Sequence, residues 1–364
     1  MKIAAFYHSL ISDWNHGNAH FLRGVASELV LRGHEVVAYE AEDGWSAENL
    51  ARDHGVAALD AWGAAYPELA GAVRTYRLAV LDIEAALEGA DVALVHEWND
   101  PAVVARAGAA RARLPQLRLL FHDTHHRAVT RPEEMARFDL SRYDGVLAFG
   151  RVVRDLYLAR GWARRAFIWH EAADVRRFHP GDAGAEARSD LVFVGNWGDE
   201  ERTEELREFL LEPVKALGIA ADVHGVRYPP SALAELARAG ARFRGWLPNH
   251  RAAEALRRHR VTVHVPRRPY VEGLPGIPTI RPFEAMACGI PLVSAPWADA
   301  ERLFRPGKDY LVARDGAEMR NHLRAVLDDP GLAGALAESG LETIRARHTC
   351  AHRVDELLAH VAAL

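Results

Sequence analysis

Short apolar runs recur along this chain with room for one helix between neighbours, and no other feature restricts its fold as much. The runs Lys2–Tyr7, Glu35–Glu40, Asp91–His96, Arg118–His122 and Gly145–Phe149 have the length of strands, and helical segments separate them. Asn18–Leu31 shows the helical spacing best: Phe21, Leu22, Val25, Ala26 and Leu29 fall on one face, and Gly33 closes the helix. Runs of this kind need cover on both faces of their sheet, so the order predicts a mostly parallel α/β sheet wrapped in helices. Ligands of such sheets meet the loops that follow the carboxyl ends of the strands.

After Trp169 the composition changes. His170–Asp190 is polar and broken by Pro180, Gly181 and Gly184, as an inter-domain linker would be. A second alternating series follows, with strands near Leu191–Val194, Asp222–His224, Val261–Val265, Pro291–Ser294 and Tyr310–Val312. Two amphipathic helices, about Leu332–Arg347 and Cys350–Ala363, close the chain. A length of 364 residues suits two cores better than one. The predicted division is a first domain at 1–172, a linker at 173–190, a second domain at 191–345 and a closing helix at 346–364.

The net charge of −5, with signs interspersed, gives no reason to expect nucleic acid or an anionic membrane as a partner. MKIAAFYHSL is apolar for too few positions before Ser12 and Asp13 to suggest a signal peptide or a membrane span. Cys288 and Cys350 are the two cysteines, which predicts neither a disulfide framework nor a cysteine zinc site and fits a reducing cytoplasm. Cys288 reads as a small core residue.

The run from Gly276 to Ser294, GIPTIRPFEAMACGIPLVS, reads as an anion-binding turn, a short helix and a buried strand. Pro282 suits the first helical position and Gly289 the left-handed cap that ends the helix. Gly276, Ile277, Pro278, Thr279 and Ile280 then face the positive end of the helix dipole, where a phosphate is the natural guest. On this register Glu284 lies in the first turn. It either complements the dipole as part of a cap or accepts ribose hydroxyls beside a diphosphate.

RPFEAMACGIPLVS resembles the donor-binding segment of group 1 glycosyltransferases, retaining nucleotide-sugar enzymes of the GT-B fold, in which two Rossmann-like domains face each other across a cleft. The form GIPTIRPFEAMACG is most similar to their spore-maturation CgeB-type branch. The resemblance implies that the first domain is the acceptor side and the second the donor side, and that Glu284 holds the ribose. It also implies that the closing helix packs back on the first domain. The family's second acid, eight residues before Glu284, is replaced by Gly276, and Glu272 is the nearest acid. AADVRRFHP resembles the family's connector, with Asp174 and Phe178 in its acid and phenylalanine positions.

Four further places carry candidate site residues. Gly17 and Asn18 in DWNHGNAH form either a tight turn with a helix cap or, as the resemblance implies, the glycine loop that faces the donor. The absence of GxGxxG there argues against a dehydrogenase. After the apolar run LRLLF come His122, Asp123, Thr124, His125 and His126. His122 and His126 are four apart, a spacing that serves a metal only on a helix, whereas this segment reads as a loop. The His122–Asp123 pair resembles the family's cleft histidine, which implies contact with the transferred sugar. In GNWGDEER, Gly195 and Asn196 approach the cleft and Arg202 is either a diphosphate ligand or a surface arginine. Arg267 and Arg268 follow VTVHV, and Arg281 directly precedes the anion-facing helix, so each is placed to neutralise a pyrophosphate.

The function these readings imply is transfer of a hexosyl or related group from a nucleotide-diphosphate-sugar to an acceptor, with retention and without metal or other cofactor. An epimerase or hydrolase on the same fold, or a non-catalytic nucleotide-sugar-binding protein, would share the donor site.

Overall fold

The structure is a computed structural model that describes residues 1–181, 189–198 and 200–364; residues 182–188, inside the stretch read as a linker, and residue 199 lie outside the described residues. Two compact units make up the chain. One comprises Met1–Glu171 with Cys350–Leu364, the other Ala172–Thr349. Each is a parallel sheet with helices between its strands, and the two together have the α/β architecture of the GT-B class.

The first unit holds β1 (Lys2–Phe6), β2 (Glu35–Ala41), β3 (Val73–Tyr76), β4 (Val92–His96), β5 (Arg118–Asp123), β6 (Gly145–Ala148) and β7 (Ala166–Ile168). Their order in the sheet is β3-β2-β1-β4-β5-β6-β7. The chain therefore builds outward from β1 through β2 and β3, then returns to the other side of β1 with β4. Loops leaving β1 and β4 part in opposite directions, and a crevice opens where they part. In the helix Ala19–Leu31, Phe21, Leu22, Val25, Ala26 and Leu29 are all buried. Complete burial of each large side chain among them is worth about 1.5–3 kcal/mol. The helix Cys350–Ala362 packs on Ala19–Leu31, with Arg32 Nη1 bonding Asp355 at 2.5 Å and Trp169 Nε1 donating to the Arg353 carbonyl at 2.8 Å.

The second unit repeats this logic with β8 (Ser189–Val194), β9 (Ala221–His224), β10 (Ala241–Gly245), β11 (His259–His264), β12 (Leu292–Ser294) and β13 (Leu311–Val312), ordered β10-β9-β8-β11-β12-β13. Its reversal falls between β8 and β11. Among the strands, β3, β7 and β10 are absent from the sequence reading. All three are sheet edges, and Val73–Tyr76 and Ala241–Gly245 expose most of their side chains, so no continuous apolar run marks them.

The helix after the GIPT turn begins earlier than its proline suggests. It runs Ile280–Ala287 with Thr279 at the N-cap, which places Pro282 third in the helix and moves Glu284 out of the first turn. Proline is tolerated there because the first amides of a helix have no carbonyl partner in any case. Gly289 has φ +63°, the left-handed conformation expected after the last turn. Among the described residues no helix is long and apolar enough to cross a membrane.

The helix Pro330–Arg347 supports this element by crossing it at a glycine. A Cβ on Gly340 would lie 2.8 Å from Met286 Cγ and 3.1 Å from the Asp309 carbonyl, whereas one on Gly334 would meet nothing within 4 Å. Alanine at the two positions should therefore act with opposite sign. We expect Gly334→Ala to stabilise the second unit by about 0.5–1 kcal/mol, the usual helical gain, and Gly340→Ala to destabilise it by about 1–3 kcal/mol through overpacking. Urea midpoints of the two variants check this, and equal effects would show that the helices do not touch at Gly340.

Candidate functional site

The second unit gathers positive charge at its strand reversal. After β8 the chain passes Gly195, and Arg202, at the start of the helix Thr203–Leu206, folds back over the loop. Arg202 Nη1 donates to the Val265 carbonyl at 2.8 Å, and Nη2 donates to the carbonyl and side-chain oxygens of Asn196 at 2.5 and 3.0 Å. Two glycines make this seat possible. A Cβ on Gly195 would fall 2.8 Å from Arg202 Nη2, and Gly198, at φ +94°, would place one 2.6 Å from Arg202 Cγ. GNWG is thus shaped around one guanidinium.

Among the described residues that guanidinium has no carboxylate partner, and its buried Nε has no hydrogen-bond partner. Burial, with the neighbouring charges of Arg267 and Arg281, pushes its pKa down to about 9. Arg267 bonds Glu201 at 3.1 Å, and Arg281 pairs with Glu284. Arg268 stands apart: it is exposed, bonding Glu205 at 2.7 Å and the Glu200 carbonyl at 2.6 Å. Of the predicted cations, Arg202, Arg267 and Arg281 are therefore brought together and Arg268 is not. An anion would relieve their mutual repulsion.

Thr279 is oriented from the sheet. Its hydroxyl lies 3.1 Å from His264 Nε2, and His264 Nδ1 lies 2.9 Å from Ser294 Oγ, which itself donates to the Ala295 carbonyl at 2.8 Å. Since Ser294 spends its proton on Ala295, Nδ1 must donate to Ser294 and Nε2 must accept from Thr279. Burial and the charges of Arg202 and Arg281 lower His264 to a pKa of about 3, so it stays neutral and keeps this tautomer. The sequence reading passed over His264. Its signal was a histidine inside the apolar run VTVHV, at the end of the strand beside the reversal.

Glu284 is completely buried, paired with Arg281 one turn earlier and with Asn249 Nδ2 at 3.5 Å from its other oxygen. Gly276 adopts φ +96°, and a Cβ there would lie 2.6 Å from Glu301 Cγ. Backbone and space both require glycine, and the acid against it is Glu301. Glu272 is exposed instead, where its charge acts on Arg268.

In the first unit Gly17 and Asn18 form the turn into the helix Ala19–Leu31, but the Asn18 side chain does not cap it. Its Nδ2 donates to Thr124 Oγ1 at 3.1 Å, and Thr124 Oγ1 lies 3.0 Å from His96 Nε2. Glu40, buried, accepts the amides of Leu10, Ile11 and Ser12 at 2.5, 2.6 and 3.1 Å and so fixes the loop after β1. Those amides are consequently not available to a phosphate.

His122 and Asp123 point to opposite faces of β5, as alternation requires. Asp123 accepts the Tyr157 hydroxyl at 2.8 Å and the His125 amide at 3.0 Å, a placement that holds the loop after the strand. His122 has no exposed surface, and among the described residues neither ring nitrogen has a hydrogen-bond partner; the rings of Trp169, His96, Phe21 and Tyr7 surround it. His126 Nδ1 lies 2.8 Å from Thr130 Oγ1. Among the described residues no group of three histidine, cysteine or acidic side chains is arranged to hold a metal ion.

Residues 202–359, a little under half of the chain, match a protein family described as glycosyl transferase-like. No curated protein matches the sequence. Among solved structures, sucrose-phosphate synthase from Thermosynechococcus elongatus is 16% identical with a TM-score of 0.66, covering 100% of this chain and 99% of that one. Anabaena HepE in complex with UDP and glucose is 14% identical with a TM-score of 0.68 and full coverage of both chains. An alpha-glucosyltransferase in complex with UDP and a 13-mer DNA containing an HMU base is 14% identical with a TM-score of 0.71, covering 100% and 99%. The family match and the GT-B fold support a glycosyltransferase.

The first unit's histidines make acid sensitivity a measurable consequence. Burial lowers His122 to a pKa of about 3 and His16 to about 4, and holds His8 and His96 well below 6.5, the last two with help from neighbouring charge. Below 6.5 the unfolded chain binds protons that these folded rings refuse, so their contribution is full above pH 6.5 and falls as pH drops towards their folded values. Buried Glu40, Glu97 and Asp123, shifted upward mainly by burial, act in the opposite direction, so one histidine must be isolated by difference. Between pH 7.5 and 5, wild type should lose about 2 kcal/mol more stability than His122→Phe. Urea titrations at the two pH values measure this, and parallel losses would mean that His122 is protonated in the folded state.

Proposed function

We propose that the chain transfers a sugar from a UDP-sugar to an acceptor hydroxyl, with the second unit holding the donor. The observation that carries this reading is Arg202, a guanidinium held among the described residues by backbone and amide oxygens and seated by two glycines beside Arg267 and Arg281 at the sheet's reversal. The diphosphate takes Arg202 and draws Arg281 from Glu284, while the amides at the start of Ile280–Ala287 complete its cradle. Glu284, released from its partner, accepts the ribose hydroxyls. Uridine is the base of choice because UDP is the nucleotide bound in the HepE and alpha-glucosyltransferase structures.

The bond broken is that between the sugar's anomeric carbon and the diphosphate oxygen, and the bond formed joins that carbon to the acceptor oxygen. The leaving diphosphate keeps the electron pair and takes the acceptor's proton on a phosphate oxygen. No protein base is then required. Attack on the face that the phosphate leaves retains configuration, which follows from the group 1 resemblance, as assignment to the CgeB-type branch rests on GIPTIRPFEAMACG. Arginines and helix amides carry the leaving-group charge in place of a metal, each preorganised donor contributing about 3 kcal/mol. Thr279, aimed by His264, is a further donor at the same end of the helix.

Calorimetric titration with UDP and with pyrophosphate tests the division of roles. Arg202→Ala should weaken both ligands at least tenfold, and Arg202→Lys should not restore them, because a point charge cannot replace the fork held by Asn196 and Val265. Glu284→Gln should weaken UDP by more than about 1 kcal/mol without weakening pyrophosphate, which has no ribose to lose. Unchanged UDP affinity in Arg202→Ala would sink the donor site.

A further inference from the structure

The reversal point of the first unit carries a second built surface that the donor reading leaves unused. His8 follows β1, His16 lies further along the same loop, and His96 with Trp98 ends β4. The His8 ring lies 4.3 Å from His96, 4.4 Å from His16 and 6.2 Å from Trp98, while His16 lies 6.0 Å from Trp45 and 6.1 Å from Trp98. Beneath them His122 lies 4.9 Å from His96. Trp45 and Trp98 remain 48% and 38% exposed, unusual for the largest apolar side chain on a surface that folding could have covered. Both nitrogens of His8 are shielded from water and lack a partner, as are both of His122. Such orphaned groups cost stability unless something else completes them.

We propose that His8, His16, Trp45 and Trp98 form the acceptor site, and that its ligand is a neutral saccharide. The proposal rests on the glycosyltransferase reading for the word acceptor, but not for the binding itself. Indole faces cover the apolar C–H face of a pyranose ring, and the part-buried imidazole of His16, when neutral, offers one donor and one acceptor to its hydroxyls while His8 packs against it. Two arginines beside the site are already matched: Arg23 bonds Asp13 at 2.9 Å, and Arg127 bonds Glu97 at 2.6 Å while lying 3.8 Å from the centre of the Trp98 indole. Neither arginine is left to attract a phosphate backbone. Arg127 also holds the indole in place, and Glu40 holds the loop that carries His8 and His16.

Intrinsic tryptophan fluorescence of the full chain, titrated with glucose, galactose, maltose and cellobiose, reads binding without any donor. At least one of these should give a saturable change, and Trp98→Ala and His16→Ala should each weaken it at least tenfold. UDP affinity of the same variants should stay within twofold of wild type, which shows that they remain folded and separates this site from the donor site. If UDP binds and none of the four sugars does, or if sugar affinity is indifferent to both substitutions, the proposal is overturned while the donor reading stands. A single-stranded oligonucleotide that binds in their place with the same dependence on Trp98 also overturns it, by assigning the surface to a nucleobase. Failure of UDP alone, with sugar binding intact, would instead remove the transferase reading and leave a saccharide site.

Discussion

Both units of this protein depend on one topological constraint: a sheet built outward from its first strand and then extended from that strand's other side must part its loops there. At β1 and β4 in one unit, and β8 and β11 in the other, the backbone leaves the sheet in diverging directions, the place where sheets of this kind bind ligands. Everything chemically distinctive lies at these two places. The first collects imidazoles and indoles beside arginines that acids already match, and the second collects guanidinium groups, of which Arg202 has no carboxylate among the described residues. One fold thereby supplies two sites of opposite character, and their difference resides in a few loop residues on a common frame.

Within the second site, the Arg281–Glu284 pair shows how a buried ion pair can be poised. Two charges taken out of water are weakly stabilising at best, since desolvation offsets most of their attraction. Such a pair exchanges partners readily when a ligand offers each member a better one, a diphosphate for the arginine and hydroxyls for the carboxylate. Arg202 differs because among the described residues it has no carboxylate to release. Its contacts are backbone and amide oxygens, and they fix its position without neutralising it.

Much of this was legible in the sequence because buried parallel strands write themselves as continuous apolar runs. The edge strands β3 and β10 escaped, since Arg74, Thr75, Arg242 and Arg244 face solvent and leave no such run. Pro282 was read as the first helical residue when it is the third, because a proline marks only the stretch of missing amide partners and not its first member. The cations were found by their place after strands, yet whether a given arginine meets a neighbour or solvent depends on acids such as Glu205, far away in the chain, and this separated Arg268 from Arg267. His8 and His96 looked like ordinary strand ends. Their grouping follows from the neighbouring positions of β1 and β4 in the sheet, which local pattern does not encode.

The helix Cys350–Ala362 belongs to the first unit, whereas the whole of Ala172–Thr349 intervenes between it and the body it completes. The bond from Arg32 to Asp355 spans 323 positions. During synthesis the second unit has all of its strands before that helix emerges, while the first must wait with the apolar surface meant for Val354 and Leu357 uncovered. The order of assembly is thus reversed relative to the order of translation: the unit begun first is finished last.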